Sequence, residues 1–162
     1  MQDKLKKLKI VSNSHEVFNR EIAFSRTIGL ITNTELEILK NKTVAVAGLG
    51  GVGGSHVLTL VRLGIGGINI ADMDSFAVEN FNRQAGANMN SVGQQKVQVI
   101  ESMAKAINPD LKIKTFAQGV NTQNLLEFFS GVDVYLDGLD FFAFEARKMV
   151  FKYCHQNGIP AT

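Results

Sequence analysis

Cysteine occurs once in the 162 residues, at Cys154, so neither an internal disulfide nor a cysteine-based metal site can form, and a reducing, cytoplasmic setting fits best. Proline is confined to Pro109 and Pro160, both placed where helical spacing has already run out. The lysine-bearing start, Met1 to Lys9, is followed by no apolar stretch of the kind a signal peptide or membrane span requires. Internal repeats, low-complexity tracts and a recognisable linker are absent from the sequence. So is any large excess of charge: a formal net charge of +2 and a pI near 8.7 do not support a dedicated nucleic-acid binder. What is present, 45% hydrophobic and 20% charged residues, suits one globular domain with a sizeable core.

The order of elements gives the fold class. Lys4 to Lys9 alternates leucine with lysine and Glu16 to Ile28 has helical apolar spacing. Thr34 to Leu39 reads as a short helix capped by Asn33 or Thr34, with Glu37 three residues after Thr34. Residues 1–40 are therefore expected to form a helical N-terminal arm, whose apolar positions call for a covering surface. From there strand candidates at Thr43 to Ala47, Ile68 to Ala71, Ile113 to Phe116 and Val132 to Leu136 alternate with helix candidates at Val52 to Leu63, Val92 to Ile107, Thr122 to Phe129 and Phe144 to Gln156. Such alternation implies right-handed βαβ units and an α/β, Rossmann-like, doubly wound and mainly parallel sheet over 41–162. Gly158-Ile159-Pro160-Ala161-Thr162 resembles the lead into a further strand, so the expectation is the front portion of a longer fold.

The richest local signal is Gly48-Leu49-Gly50-Gly51-Val52-Gly53-Gly54, directly after a β-rich run. A buried strand that turns tightly into a helix aims unpaired N–H groups and the positive helix end at one point, which suits phosphate. Asp72 lies some 20 residues further on, at the end of the second strand, where a carboxylate can accept ribose hydroxyls. Asn80, Arg83 and Lys96 follow. A dinucleotide has little need of these cations, whereas a triphosphate with a departing pyrophosphate needs fixed counter-charge. On residue types alone, ATP is favoured over NAD. Lys148, His155 and His56 sit on helices and read as ordinary, and Cys154 as a buried small residue.

The glycine turn, Asp72, Asn80-Phe81-Asn82-Arg83-Gln84, Lys96 and Asp137-Gly138-Leu139-Asp140 together resemble the ThiF/MoeB-type adenylyltransferases, the superfamily of the ubiquitin-activating enzymes. The likeness runs from Phe24 to Pro160. Phe24-Ser25-Arg26-Thr27-Ile28-Gly29-Leu30 is similar to a bacterial branch in which such domains can be joined to nitroreductase-like regions. The resemblance implies an enzyme that uses ATP and Mg²⁺ to adenylate a carboxylate, commonly the C-terminus of a ubiquitin-like or sulfur-carrier protein. It implies that Gly48, Gly50, Gly51 and Gly53 approach the phosphates, that Asp72 holds the ribose, that Asn80, Arg83 and Lys96 bind the triphosphate, and that Asp140 binds Mg²⁺. Arg26 resembles the arginine that reaches into a partner's site in family dimers, which implies a homodimer.

Two features depart from the family pattern. Asp140 is followed by Phe141-Phe142 where asparagine is common, and the expected arginine is offset to Arg147. Neither an acyl-accepting cysteine nor paired Cys-x-x-Cys motifs occur in the chain. The same ATP site would serve a tRNA-modifying dehydratase of the superfamily, which leaves tRNA open as a partner. A non-catalytic nucleotide-binding or dimerisation module is the remaining alternative.

Overall fold

The computed structural model describes residues 17–162, so Lys4 to Lys9 and Glu16 lie outside the described residues. The elements are α1 (Arg20–Ala23), a 3-10 turn at Ser25–Thr27, α2 (Asn33–Lys40), β1 (Thr43–Ala47), α3 (Gly53–Leu63), β2 (Gly67–Ala71), a 3-10 turn at Val78–Asn80, α4 (Lys96–Ile107), β3 (Lys112–Phe116), α5 (Leu125–Phe128), β4 (Val134–Asp137) and α6 (Phe144–Gln156). Among the described residues no helix is long and apolar enough to cross a membrane.

The four strands form one wholly parallel sheet in the order β3-β2-β1-β4. Sequence alternation explains its two covered faces. Val44 and Val46 of β1 and Ile68 and Ile70 of β2 turn toward Val57 and Val61 of α3 and Val97, Ile100 and Ala104 of α4. Ala45, Ala47 and Ala71 turn the other way, where they meet Phe128 of α5, Tyr135 of β4, and Val150 and Cys154 of α6. Because the chain runs outward from β1 through β2 to β3 and then returns to place β4 on the other side of β1, the carboxyl ends of β1 and β4 flank a reversal of strand order. In open α/β sheets that is where a crevice forms. Beyond β4, Ala161 bridges Tyr135 in parallel sense.

The arm differs from expectation in detail. Of the helix expected from Glu16 to Ile28, the described part, 17–28, gives only the single turn α1 followed by the 3-10 turn, and α1 is anchored by the Arg20 guanidinium donating to Gly64 O and lying over the Phe24 ring. The cap of α2 is Thr32, one residue ahead of Asn33 and two ahead of Thr34, the expected caps: its hydroxyl accepts from Glu35 N at 3.2 Å while Glu35 accepts from Thr32 N at 2.7 Å. Thus Glu35 and not Glu37 completes the reciprocal cap.

Candidate functional site

The crevice lies where the reversal of strand order predicts, at the carboxyl ends of β1, β2 and β4. It consists of two adjoining chambers. A polar chamber of about 450 Å³ is bordered by Gly48, Gly50, Gly51, Val52, Arg83, Gln84, Lys96, Asp137 and Arg147, among others. An apolar chamber of about 230 Å³ is bordered by Ala71, Met73, Gly119, Val120, Ala143 and Ala146. Gly48, Asp72, Asp74, Leu139 and Asp140 border both.

The glycines divide into two groups. A side chain at Gly48, where φ is +82°, would meet Leu139 N at 2.6 Å and the Gly138 carbonyl closer still. One at Gly53 would meet the Gly48 carbonyl, with Gly48 C at 2.9 Å. Gly53 is buried and borders neither chamber, so the structure gives it a packing role where the resemblance implied a phosphate contact. Gly50 and Gly51 face open space, with nearest neighbours at 3.8 and 3.6 Å from an added Cβ. Among the described residues the N–H groups of Gly50, Gly51 and Val52 have no protein acceptor, and they precede α3, whose N-terminus opens on the same chamber.

Asp72 fastens this turn. Its Oδ2 accepts from Leu49 N at 2.6 Å and its Oδ1 from Asp74 N at 2.8 Å, which aims the carboxylate across the junction of the chambers while lone pairs remain for other donors. Lys96 is the first residue of α4, only 5% exposed, and its Nζ lies 3.0 Å from the largely exposed Asp74 carboxylate. Arg83 is exposed; its guanidinium donates to Glu79 O and Asn82 Oδ1 and meets no carboxylate among the described residues. Asn80 is buried, its Oδ1 accepts from Ala77 N at 2.9 Å, and it borders neither chamber. It caps the turn that carries Arg83, a different task from the direct phosphate contact that the resemblance implied.

Asp137 and Asp140 have different surroundings. Asp137 accepts from Tyr135 Oη at 2.7 Å and from Arg147 Nε at 2.6 Å, so side chains occupy both of its oxygens. Burial, with the bond to Asp137, pushes the Tyr135 hydroxyl far above the usual tyrosine range, so it stays a donor. Asp140 is exposed, and among the described residues its carboxylate accepts one bond, from Phe142 N at 3.2 Å. Arg147 also donates to Leu139 O at 2.6 Å and Asp140 O at 3.2 Å, tying α6 to the loop after β4. Sequence reasoning missed this role for Arg147 and the ion-pair role of Asp74; the ten-residue spacing from Asp137 to Arg147 was visible but mute without the loop's path. Arg26 is exposed on the arm and borders neither chamber.

Known proteins share the sequence pattern and the fold. A tRNA threonylcarbamoyladenosine dehydratase of Bacillus subtilis (strain 168) is 36% identical over 138 residues, 85% of this chain and 54% of that protein. A probable adenylyltransferase/sulfurtransferase MoeZ of Mycobacterium tuberculosis is 35% identical over 105 residues, 65% of this chain and 27% of its own. The crystal structure of E. coli tRNA N6-threonylcarbamoyladenosine dehydratase, TcdA, superposes with a TM-score of 0.83 at 30% identity, covering 88% of this chain and 59% of that one. The same enzyme in complex with ATP gives 0.81, covering 87% and 58%. The chain spans about half the length of the curated dehydratases it matches. With the ThiF family profile matching residues 24–162, nearly all of the described residues, the chain belongs to the ThiF family.

Proposed function

We propose that this chain is the nucleotide-binding portion of an enzyme that uses ATP to adenylate a carboxylate. The observation that carries this reading is the position of Asp72 between an apolar chamber and a polar one that holds the glycine turn, Arg83 and Lys96. A nucleotide has its parts in that order: flat base, hydroxyl-bearing ribose, anionic phosphates. Of the polar chamber's cations, Lys96 is paired with Asp74 and Arg147 with Asp137, which leaves Arg83 as the unpaired one among the described residues. Solved complexes of the similar E. coli enzyme with ATP and AMP support the same ligand.

In the reaction a carboxylate oxygen attacks the α-phosphorus, the new P–O bond forms as the α–β bridging bond breaks, and pyrophosphate leaves with the electron pair. Positioning and charge are what the protein contributes. Asp72 accepts from the ribose hydroxyls; the N–H groups of Gly50, Gly51 and Val52 donate to phosphate oxygens; Arg83 and Lys96 stabilise charge on the departing pyrophosphate. The residues also fit Mg²⁺. Asp140 offers a hard oxygen that pairs with no Lys or Arg side chain among the described residues, whereas both oxygens of Asp137 are engaged, and one or two carboxylates plus substrate phosphates suffice for that ion. When bound there, Mg²⁺ would neutralise phosphate charge that Arg83 alone cannot balance.

For the substrate, similarity favours a modified tRNA nucleoside over the carrier-protein C-terminus that the family resemblance put first: the dehydratase match covers 85% of the chain, the MoeZ match 65%. Adenylylation also explains a dehydration. Attack on the acyl-adenylate by a group of the same molecule expels AMP with one former carboxylate oxygen, and the net loss is water. Any role of Arg26 in the site requires a second copy of the chain, so a homodimer belongs to this reading. Pyrophosphate release from ATP tests it: release that depends on tRNA supports the dehydratase, release that depends on a sulfur-carrier protein supports the carrier reading, and release with neither sinks both.

A further inference from the structure

One buried side chain bordering the polar chamber, Gln84, has a carboxamide oxygen without a partner among the described residues. Gln84 follows Arg83, is 7% exposed, and its backbone is fixed at both ends, with N bonded to Asn80 O and O accepting from Ala87 N, each at 3.0 Å. Its carboxamide is unsatisfied. Oε1 is buried with no hydrogen-bond partner, and Nε2 makes no bond among the described residues. Nε2 is the atom nearest to a Cβ built on Gly50, at 3.8 Å, so the amide lies beside the open, phosphate-facing part of the glycine turn. Natural proteins rarely bury an amide oxygen without a partner, and an apolar side chain of the same shape would avoid that penalty at this position. Retention of glutamine is accounted for if the other end of the amide is used.

We propose that Gln84 is a polyphosphate-binding residue whose Nε2 donates to the pyrophosphate portion of the bound nucleotide. The inference rests on the nucleotide reading above and extends it. Gln84 and Arg83 border only the polar chamber and not the apolar one, which puts them on the side of the crevice distant from the base. The phosphates farthest from a base in the apolar chamber are β and γ, the atoms that leave. Anions accept and do not donate, so the NH₂ end faces the ligand and the oxygen is the end left unsatisfied.

The test is calorimetric titration of ATP, AMP and inorganic pyrophosphate into the wild type and the Gln84→Met and Gln84→Ala variants, alongside thermal unfolding. The expected result is ATP and pyrophosphate affinity lower by roughly 10- to 100-fold in both variants, the loss typical of one hydrogen bond to a charged group. AMP affinity should stay within about twofold, and Gln84→Met should unfold at or above the wild-type temperature because the orphaned oxygen is gone. Equal loss for all three ligands, or a Gln84→Met protein that unfolds early, would assign Gln84 a structural role and overturn the proposal. Unchanged ATP affinity in the variants would overturn it while sparing the nucleotide site. A wild type that binds no ATP would remove the nucleotide reading itself.

Discussion

Substitution of Gly48 by alanine isolates the feature on which the crevice is built. Two costs combine. Gly48 has φ of +82°, and an L-residue there is disfavoured by about 1–2 kcal/mol. The added methyl would also lie 2.6 Å from Leu139 N and nearer still to the Gly138 carbonyl, all backbone atoms at the end of β4 that cannot swing aside as a flexible side chain can. Relief of such overpacking typically costs about 1–3 kcal/mol, so the sum is about 2–5 kcal/mol. For a domain of this size that is a fall in melting temperature of roughly 10 °C. Gly50→Ala is the control: φ is not positive, the nearest atom lies 3.8 Å away, and the stability change should stay below about 0.5 kcal/mol. Its methyl enters the polar chamber, so ATP affinity should fall while the fold is intact. Thermal unfolding followed by circular dichroism reads both. A Gly48→Ala protein melting within about 1 °C of the wild type would refute the packing argument, as would a Gly50→Ala protein melting as early as Gly48→Ala.

Three further outcomes are expected. Arg147→Met leaves Asp137 without its guanidinium partner and frees the loop carrying Asp140, so stability should drop by about 2 kcal/mol and Mg²⁺-dependent ATP binding should weaken more than Mg²⁺-independent binding; equal weakening would contradict the loop-tying role. At Asp133, desolvation acts to raise the carboxyl pKa, but hydrogen bonds from Lys42 and Thr43 N outweigh it and hold the group below its ordinary value. A depressed folded value stabilises above the unfolded carboxylate pKa and is lost as pH falls through the folded one, so Asp133→Asn should cost about 0.5–1 kcal/mol at pH 7 and progressively less as pH falls below the unfolded carboxylate value; a cost independent of pH in denaturant titrations would refute it. Burial pushes the Cys154 thiol up and leaves it 1% exposed, so dithionitrobenzoate at pH 8 should label it only after unfolding, and rapid labelling of the native protein would place it elsewhere.

Much of the fold was legible because short-range pattern and tertiary demand agree. Thr43–Ala47 and Phe144–Gln156 occur where periodicity placed them, since one is an apolar run bounded by Lys42 and Gly48 and the other a long amphipathic segment. Boundaries moved where tertiary contacts override local propensity. The helix expected from Val92 begins at Lys96, because Gly93 takes φ of +82° and residues 92–95 pair with 74–76 through Gly93 N to Phe76 O, Phe76 N to Gln94 O and Lys96 N to Asp74 O. That same pairing brings Lys96 beside Asp74. The strand expected from Val132 pairs from Val134, since Val132 N closes the turn onto Phe129 O and the Asp133 side chain receives Thr43 N. Asn121 and Asn124 satisfy backbone donors with their side chains and shorten the helix expected from Thr122 to Leu125–Phe128. Residue identity flagged Asp72, Arg83 and Lys96, which do border one crevice; identity alone could not separate Gly53 and Asn80, which hold the backbone in place, from Gly50 and Gly51, which face the opening.

The glycine turn, Asp72, Arg83, Lys96 and Asp140 are proposed to form one ATP site. Calorimetric titration of ATP with and without Mg²⁺, run beside NAD on the wild type and the Arg83→Ala and Asp140→Ala variants, tests it most directly. ATP binding that Arg83→Ala weakens in either condition, and that Asp140→Ala weakens only with Mg²⁺, is the predicted result. NAD binding in preference to ATP, or no nucleotide binding by the folded wild type, would contradict the account.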